Sequence, residues 1–132
     1  MRSCVCAGLL LVIVFGLGCG GSGRKTTPIS GTVTLDGQPV PEGSITFFPD
    51  PKEYDAEVAQ IKDGKYDLRV TPGKKRVEIT ASRSVPGKKG PYGEDVIEQY
   101  IPPQYNVKTT LTPSVNESEK VYDFALESTK KK

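Results

Sequence analysis

The side chains of this chain able to do chemistry are thiols, carboxylates, amines and phenols; imidazole is absent. Without histidine there is no Ser-His-Asp or Cys-His nucleophile, no zincin motif and no imidazole metal ligand. Asp36 and Asp63, each followed by glycine, come nearest to a calcium loop. Such a loop needs several oxygen ligands at Asp-x-Asp-x-Asp-Gly spacing, which neither position has, so both pairs read as hairpin turns. Glu94, Asp95 and Glu98 lie close enough in sequence for acid/base work or metal binding. The same spacing suits the solvated side of a short helix, which is the preferred reading. Lys74-Lys75-Arg76 and Lys88-Lys89 are candidates for contact with anionic lipid or polysaccharide, each basic residue at such a surface contributing about 1 kcal/mol; the competing and preferred reading is solvated turns. Tyr92, Tyr100 and Tyr105 share a Pro/Gly-rich stretch, residues 84–106. Their rings either stack on a sugar or a protein partner, or pack over the end of the domain and pin the loop, with packing preferred. No catalytic residue, cofactor or metal site is predicted.

The thiols are Cys4, Cys6 and Cys19. Met1-Arg2 supplies one positive charge, and Cys4 to Gly18 is uncharged, with Leu9-Leu10-Leu11-Val12-Ile13-Val14-Phe15 at its centre. The run is shorter than the ~20 residues a membrane-crossing helix needs. A charged start, a short apolar core and small residues at its end predict a secretory signal over residues 1–18. A small residue directly before cysteine, Gly18-Cys19, resembles the lipobox of bacterial lipoproteins, although Gly16 stands where that pattern usually has Leu. The resemblance implies that Cys19 becomes the N-terminus and is lipidated. The chain is then exported and anchored to the membrane of the cell envelope, the outer membrane in preference to the inner. More than one acyl chain, at about 0.8 kcal/mol per buried methylene, makes such anchoring durable. The alternatives are an ordinary secreted protein cut nearby and an uncleaved anchor. With Cys19 acylated and Cys4 and Cys6 removed, no thiol is left for redox or nucleophilic chemistry, and stability must come from a packed core.

The 132 residues carry 18 Lys+Arg against 16 Asp+Glu, a net charge of +2. That length allows one domain, and the balance offers no electrostatic case for nucleic acid. Residues 19–27, rich in Gly, Ser and Thr, read as a flexible tether, residues 28–128 as the folded domain, and residues 129–132 as a frayed basic tail. Within the domain β signals recur. Ile29 to Leu35 alternates apolar and polar, and Asp36-Gly37 ends it. Ser44 to Phe48, Glu57 to Lys62, and Lys65 to Val70 follow, the last two joined by Asp63-Gly64 in the clearest hairpin of the chain. Lys74 to Ser82, with Val77, Ile79 and Ala81 inward, is the fifth strand. Thr109 to Val115 and Lys120 to Leu126 complete the set, with Tyr122, Phe124 and Leu126 inward. Seven short strands without a helical period predict an all-β chain, a seven-stranded antiparallel β-sandwich. One long loop, about Arg83 to Lys108, lies between strands five and six. Within it Glu94 to Tyr100 is expected to form one or two helical turns, and Ile101 to Asn106 is expected to be extended, because two successive prolines forbid helix.

The run Ile29-Ser30-Gly31-Thr32-Val33-Thr34-Leu35-Asp36-Gly37-Gln38-Pro39-Val40-Pro41, with Ser44-Ile45-Thr46-Phe47-Phe48-Pro49, resembles the opening of carboxypeptidase regulatory-like domains, which have a prealbumin-like (transthyretin-like) sandwich. Asp63-Gly64-Lys65-Tyr66-Asp67-Leu68 and Pro72-Gly73-Lys74 look like that family's second hairpin and the turn after it. The ending Tyr100-Ile101-Pro102-Pro103-Gln104-Tyr105-Asn106, Thr109-Thr110-Leu111-Thr112 and Asp123-Phe124-Ala125-Leu126 is similar to small planctomycete lipoproteins. The resemblance implies a non-enzymatic module with a structural or protein-interaction role and an envelope protein or polysaccharide as partner. The alternative is a carbohydrate- or small-ligand-binding module that uses Tyr92, Tyr100 and Tyr105 in loop 84–106. Prealbumin-like enzymes depend on His, and pilin-type Lys–Asn cross-links need a buried Lys on the first strand; Ile29 to Leu35 has none.

Overall fold

Two Asp-Gly pairs set the register of the fold. Asp36 and Gly37 have φ of 51° and 81°, and Asp63 and Gly64 have φ of 49° and 72°. Consecutive left-handed residues make the mirror-image two-residue turn that matches the right-handed twist of the strands it joins. The computed structural model describes residues 23–52 and 55–128. The expected signal segment 1–18, Cys19 and the tail 129–132 lie outside the described residues.

The described chain is all-β, with one 3-10 turn at Pro103–Tyr105; this corrects the expectation of extended backbone over residues 101–106, since a proline at the first position of a turn has no N–H to satisfy and its φ already suits the turn. Its strands are β1 (Thr27–Leu35), β2 (Gln38–Pro39), β3 (Glu42–Pro49), β4 (Glu57–Lys62), β5 (Lys65–Val70), β6 (Gly73–Thr80), β7 (Ser82–Lys89), β8 (Asp95–Gln99), β9 (Ser114–Val115) and β10 (Phe124–Leu126). One curled sheet runs β10-β1-β5-β4-β3-β6-β9, with β2 on β1, while β7 and β8 form a ribbon of their own. Pairing is antiparallel except between β1 and β10, which run parallel with Val33 opposite Phe124. β4 and β5 meet at a single register pair, Lys62 and Lys65. Beyond it no further ladder pair joins the half of the sheet that holds β1 and β5 to the half that holds β3, β4 and β6.

The period-2 pattern decides which side chains fill that core. Ile29 and Val33 from β1, Ile45 and Phe47 from β3, Ile61 from β4, Tyr66 and Val70 from β5, and Val77 and Ile79 from β6 are all buried. The halves meet where the Phe47 ring lies 6.1 Å from Tyr66 and 6.3 Å from Phe124. Each fully buried large side chain contributes roughly 1.5–3 kcal/mol. A second fixing point lies where segment 120–122 passes β1. The Ser30 N–H donates to the Lys120 carbonyl, and the Tyr122 N–H donates to the Ser30 carbonyl, each at 2.9 Å. The buried Tyr66 hydroxyl donates to the Tyr122 carbonyl at 2.6 Å. A Cβ on Gly31 would stand 1.9 Å from that carbonyl oxygen, so glycine is required there by proximity.

Several expectations are corrected. The long loop between strands five and six is largely a β-hairpin. Glu94 to Tyr100 is extended as β8, not helical, because Asp95–Gln99 pairs with β7. Pro86 and Gly87 fall between Ser84 and Lys89, where the register shifts, and Gly87 has φ of 76°. Thr109 to Val115 contributes only β9 to the ladder. Its earlier part follows β6 irregularly, accepting the Val77 N–H at Leu111 and the Lys75 N–H at Pro113, at 2.8 and 2.9 Å. Lys120 to Leu126 narrows to β10 and a bridge at Val121. At the start of the described chain Lys25 pairs with Glu117 at 2.7 Å, Arg69 donates to Thr26, and Thr27 is buried in β1.

Candidate functional site

The three tyrosines occupy three different environments. β7 and β8 extend β6 past Ala81, and every residue of β7 except Val85 is exposed. A two-stranded ribbon alone is marginal in water, and polar contacts reinforce this one. Arg83 pairs with Glu98 at 2.8 Å, Lys89 pairs with Asp95, and the Tyr92 N–H donates to Glu94 at 2.9 Å. Glu94, Asp95 and Glu98 are thus separately engaged by the ribbon's own donors. Among the described residues no group of three His, Cys, Asp or Glu could hold a metal.

Tyr92 sits at the tip of this ribbon and is 95% exposed. Tyr100 sits at its base, half-buried against the core, with the Arg83 guanidinium 5.1 Å from its ring centroid. Its N–H donates to the Ala81 carbonyl at 3.1 Å, which closes the ribbon onto the sandwich-like body. Tyr105 ends the 3-10 turn and also packs on the core, and its hydroxyl accepts the Glu127 N–H at 3.1 Å. Asn106, buried beside it, donates through its side-chain amide to the Ile101 and Pro102 carbonyls at 3.1 and 3.2 Å. The three rings do not line one concavity. Tyr100 alone lines a groove of about 300 Å³, with Arg83, Pro39 and Pro41.

A second concave surface of about 850 Å³ lies on the outer face where β4 parts from β5, bordered by Val58, Gln60, Lys62, Lys65, Asp67 and Val121. Lys62 and Lys65 are exposed at its head.

The basic triplet also departs from expectation. Lys74 and Arg76 reach solvent, but Lys75 is 1% exposed. Its Nζ donates to Glu57 Oε2 at 3.1 Å and to the Thr71 hydroxyl at 2.6 Å. Glu57 Oε1 accepts the Thr71 N–H at 3.0 Å and the Thr71 O–H at 2.8 Å. Burial works to raise the Glu57 pKa, but the two Thr71 donors and the Lys75 ammonium together hold it below its ordinary value. Sequence reasoning missed this unit, though the signal was present. Lys75 is in phase with Val77, Ile79 and Ala81, and Glu57 with Ala59 and Ile61.

Comparison with protein-family models, with curated proteins and with solved structures finds no match to this chain.

Proposed function

We propose that this is an exported, non-enzymatic lipoprotein, held to the cell envelope through lipidated Cys19 and acting through contacts with other envelope molecules. In this reading the all-β domain is a prealbumin-like sandwich of the carboxypeptidase regulatory-like kind. The Gly18-Cys19 step after the apolar run supports the anchor. The observation that carries the contact role is Tyr92. An aromatic side chain left 95% exposed at the tip of a ribbon braced by ion pairs and by Tyr100 contributes nothing to the core. Exposed aromatics on supported loops are the usual anchors of protein contacts. Metabolic labelling with an alkyne fatty-acid probe tests the anchor. Label on the native chain and none on Cys19→Ser is the expected result, and equal label on both overturns it.

A carbohydrate- or small-ligand-binding role is the second reading, favoured by the groove between Tyr100, Arg83, Pro39 and Pro41. A change in tyrosine fluorescence on adding soluble envelope oligosaccharides, lost in Arg83→Ala, would support it. No change at millimolar sugar would remove it.

A further inference from the structure

We propose that the β7–β8 ribbon pairs with the same ribbon of a second copy of this chain. The two β8 strands join edge to edge, antiparallel about a two-fold axis at Ile97, and make one four-stranded sheet. The pairing is independent of the lipid anchor and of what Tyr92 contacts, because it uses the edge of the ribbon and not its tip.

The first observation is the direction in which the β8 backbone points. At one end of β8 the Glu94 carbonyl accepts the Gly90 N–H at 2.9 Å, and at the other the Tyr100 N–H donates to the Ala81 carbonyl at 3.1 Å. In an antiparallel ladder the main-chain groups of alternate residues point to the same side. Val96 and Glu98 therefore turn toward β7, while Asp95, Ile97 and Gln99 present N–H and C=O to the outer edge. β8 has no ladder partner besides β7, and no main-chain hydrogen bond joins Asp95, Ile97 or Gln99 to a described residue beyond the ribbon. All three are exposed, Ile97 at 61%, so solvent and not another segment lies beside them. The outer edge of β7 is blunted by Pro86 and by the register shift between Ser84 and Lys89. β8 has five residues with no proline and no glycine, and a regular open edge is a template for another strand.

The second observation selects the occupant. With the axis at Ile97, Ile97 faces its own copy, Asp95 faces Gln99 of the second copy, and Val96 faces Glu98 of the second copy. Each outward N–H and C=O of both strands then has a partner, and the two exposed Ile97 side chains cover each other. No residue falls opposite a like charge, a placement that destabilises strand pairs. Moving the axis to Glu98 would set two carboxylates face to face, and moving it to Val96 would leave Gln99 without a strand partner. β8 thus matches itself in one register, which is what a two-fold contact between identical chains requires.

Charge does not oppose the pairing. The acidic side chains of β8 are neutralised from β7, Glu98 by Arg83 at 2.8 Å and Asp95 by Lys89. Gln99 uses its Oε1 to accept the Ile101 N–H, which leaves its Nε2 to donate to Asp95 of the second copy. Because the strands run antiparallel, the two sandwich-like bodies sit at opposite ends of the joined ribbons. An edge this short makes a small interface, so association is weak and depends on concentration.

The test uses the full chain in detergent, at no more than one chain per micelle, so that neither acylation of Cys19 nor a shared micelle decides the outcome. Facing residues at position 97 have Cα atoms about 5.5 Å apart, within reach of a disulfide. Ser84, opposite Ile97 on β7, lies three strand spacings from its copy, about 14 Å. Mild oxidation of Ile97→Cys should give a dimer that peptide mapping shows to be linked at position 97, and Ser84→Cys should give no link at position 84. In the ¹⁵N-labelled native chain, amide shifts that grow with concentration are expected at Asp95, Ile97 and Gln99, and smaller ones at Val96 and Glu98. Ile97→Lys sets like charges face to face at an exposed position and should weaken self-association about five-fold or more, while Tyr92→Ser should leave it unchanged. Equal linkage at positions 84 and 97, no concentration dependence up to millimolar chain, self-association undiminished in Ile97→Lys, or its loss in Tyr92→Ser would each overturn the proposal.

Discussion

Lys75 and Glu57 form an ion pair that spans β3 on the inner side of the sheet, 3.1 Å between Nζ and Oε2. Their strands, β6 and β4, both pair with β3, and Thr71 closes the triangle by accepting from Lys75 and donating to Glu57. A buried ammonium is tolerated only when paired and hydrogen-bonded. Removing one partner of such a pair is expensive, whereas removing both charges together is much less so.

Glu57→Gln leaves the Lys75 charge uncompensated, while its amide oxygen still accepts from Thr71. We expect a loss of about 3 kcal/mol in urea unfolding, at the lower end for buried pairs because Glu57 is 18% exposed. The double variant Lys75→Met/Glu57→Gln should be more stable than Glu57→Gln alone by about 1 kcal/mol or more. Simple additivity of the two single losses would show that the pair is not coupled.

Acid should weaken the protein through the same carboxylate. The Glu57 pKa is lowered from 4.5 in the folded chain, so the unfolded chain binds the proton more readily. Its stabilisation is complete above about pH 5 and is lost as pH falls through 4.5 toward the folded value. The stability gap between the native chain and Glu57→Gln should therefore narrow from pH 6 to pH 3. Glu117 also has a lowered pKa through the Lys25 hydrogen bond, but it is fully exposed. Repeating the titration at about 0.5 M salt suppresses that surface contribution and leaves the Glu57 part. A gap that stays constant with pH would remove Glu57 as the titrating group.

Gly31→Ala should be among the most damaging single changes, because the added methyl group meets the Tyr122 carbonyl at 1.9 Å and the backbone must part there. A loss of more than about 3 kcal/mol is expected, against about 1 kcal/mol for Gly37→Ala, where φ is 81° but nothing lies within 4 Å. Tyr66→Phe removes the donor to the same carbonyl and should cost about 1–3 kcal/mol. Thermal melts of the three variants give the order directly.

The parts of this fold legible in the sequence are those where local chemistry and tertiary packing agree. Asp63-Gly64 between Ile61 and Tyr66 is a turn whose left-handed residues admit little else, and β4 and β5 fall at the expected residues. β7 and β8 were illegible because both faces of the ribbon meet solvent. No apolar alternation marks them, and Pro86, Gly87, Gly90 and Gly93 read as breakers when they are the bulge and tip of a hairpin. β9 was overestimated because Pro113 cannot donate to a ladder, so the preceding residues follow β6 by accepting its N–H groups instead. Lys75 was masked by its neighbours: a basic triplet suggests solvent, although its phase with Val77 and Ile79 places it inside.

The tyrosines of residues 84–106 divide by role, and stability measurements can separate them. Tyr92 is 95% exposed, so Tyr92→Ser should change the stability by less than about 0.5 kcal/mol. Tyr100 packs on the core and carries the Arg83 guanidinium, so Tyr100→Ala loses packing and a cation–π contact and should cost about 2 kcal/mol. That loss should be local as well as global. With the base of the ribbon released, the amides of β7 and β8 should exchange faster in Tyr100→Ala, while those of β3 and β6 keep their order of protection. A Tyr92→Ser variant as destabilised as Tyr100→Ala would mean that the tip ring packs against the body, and the contact role assigned to it would fall.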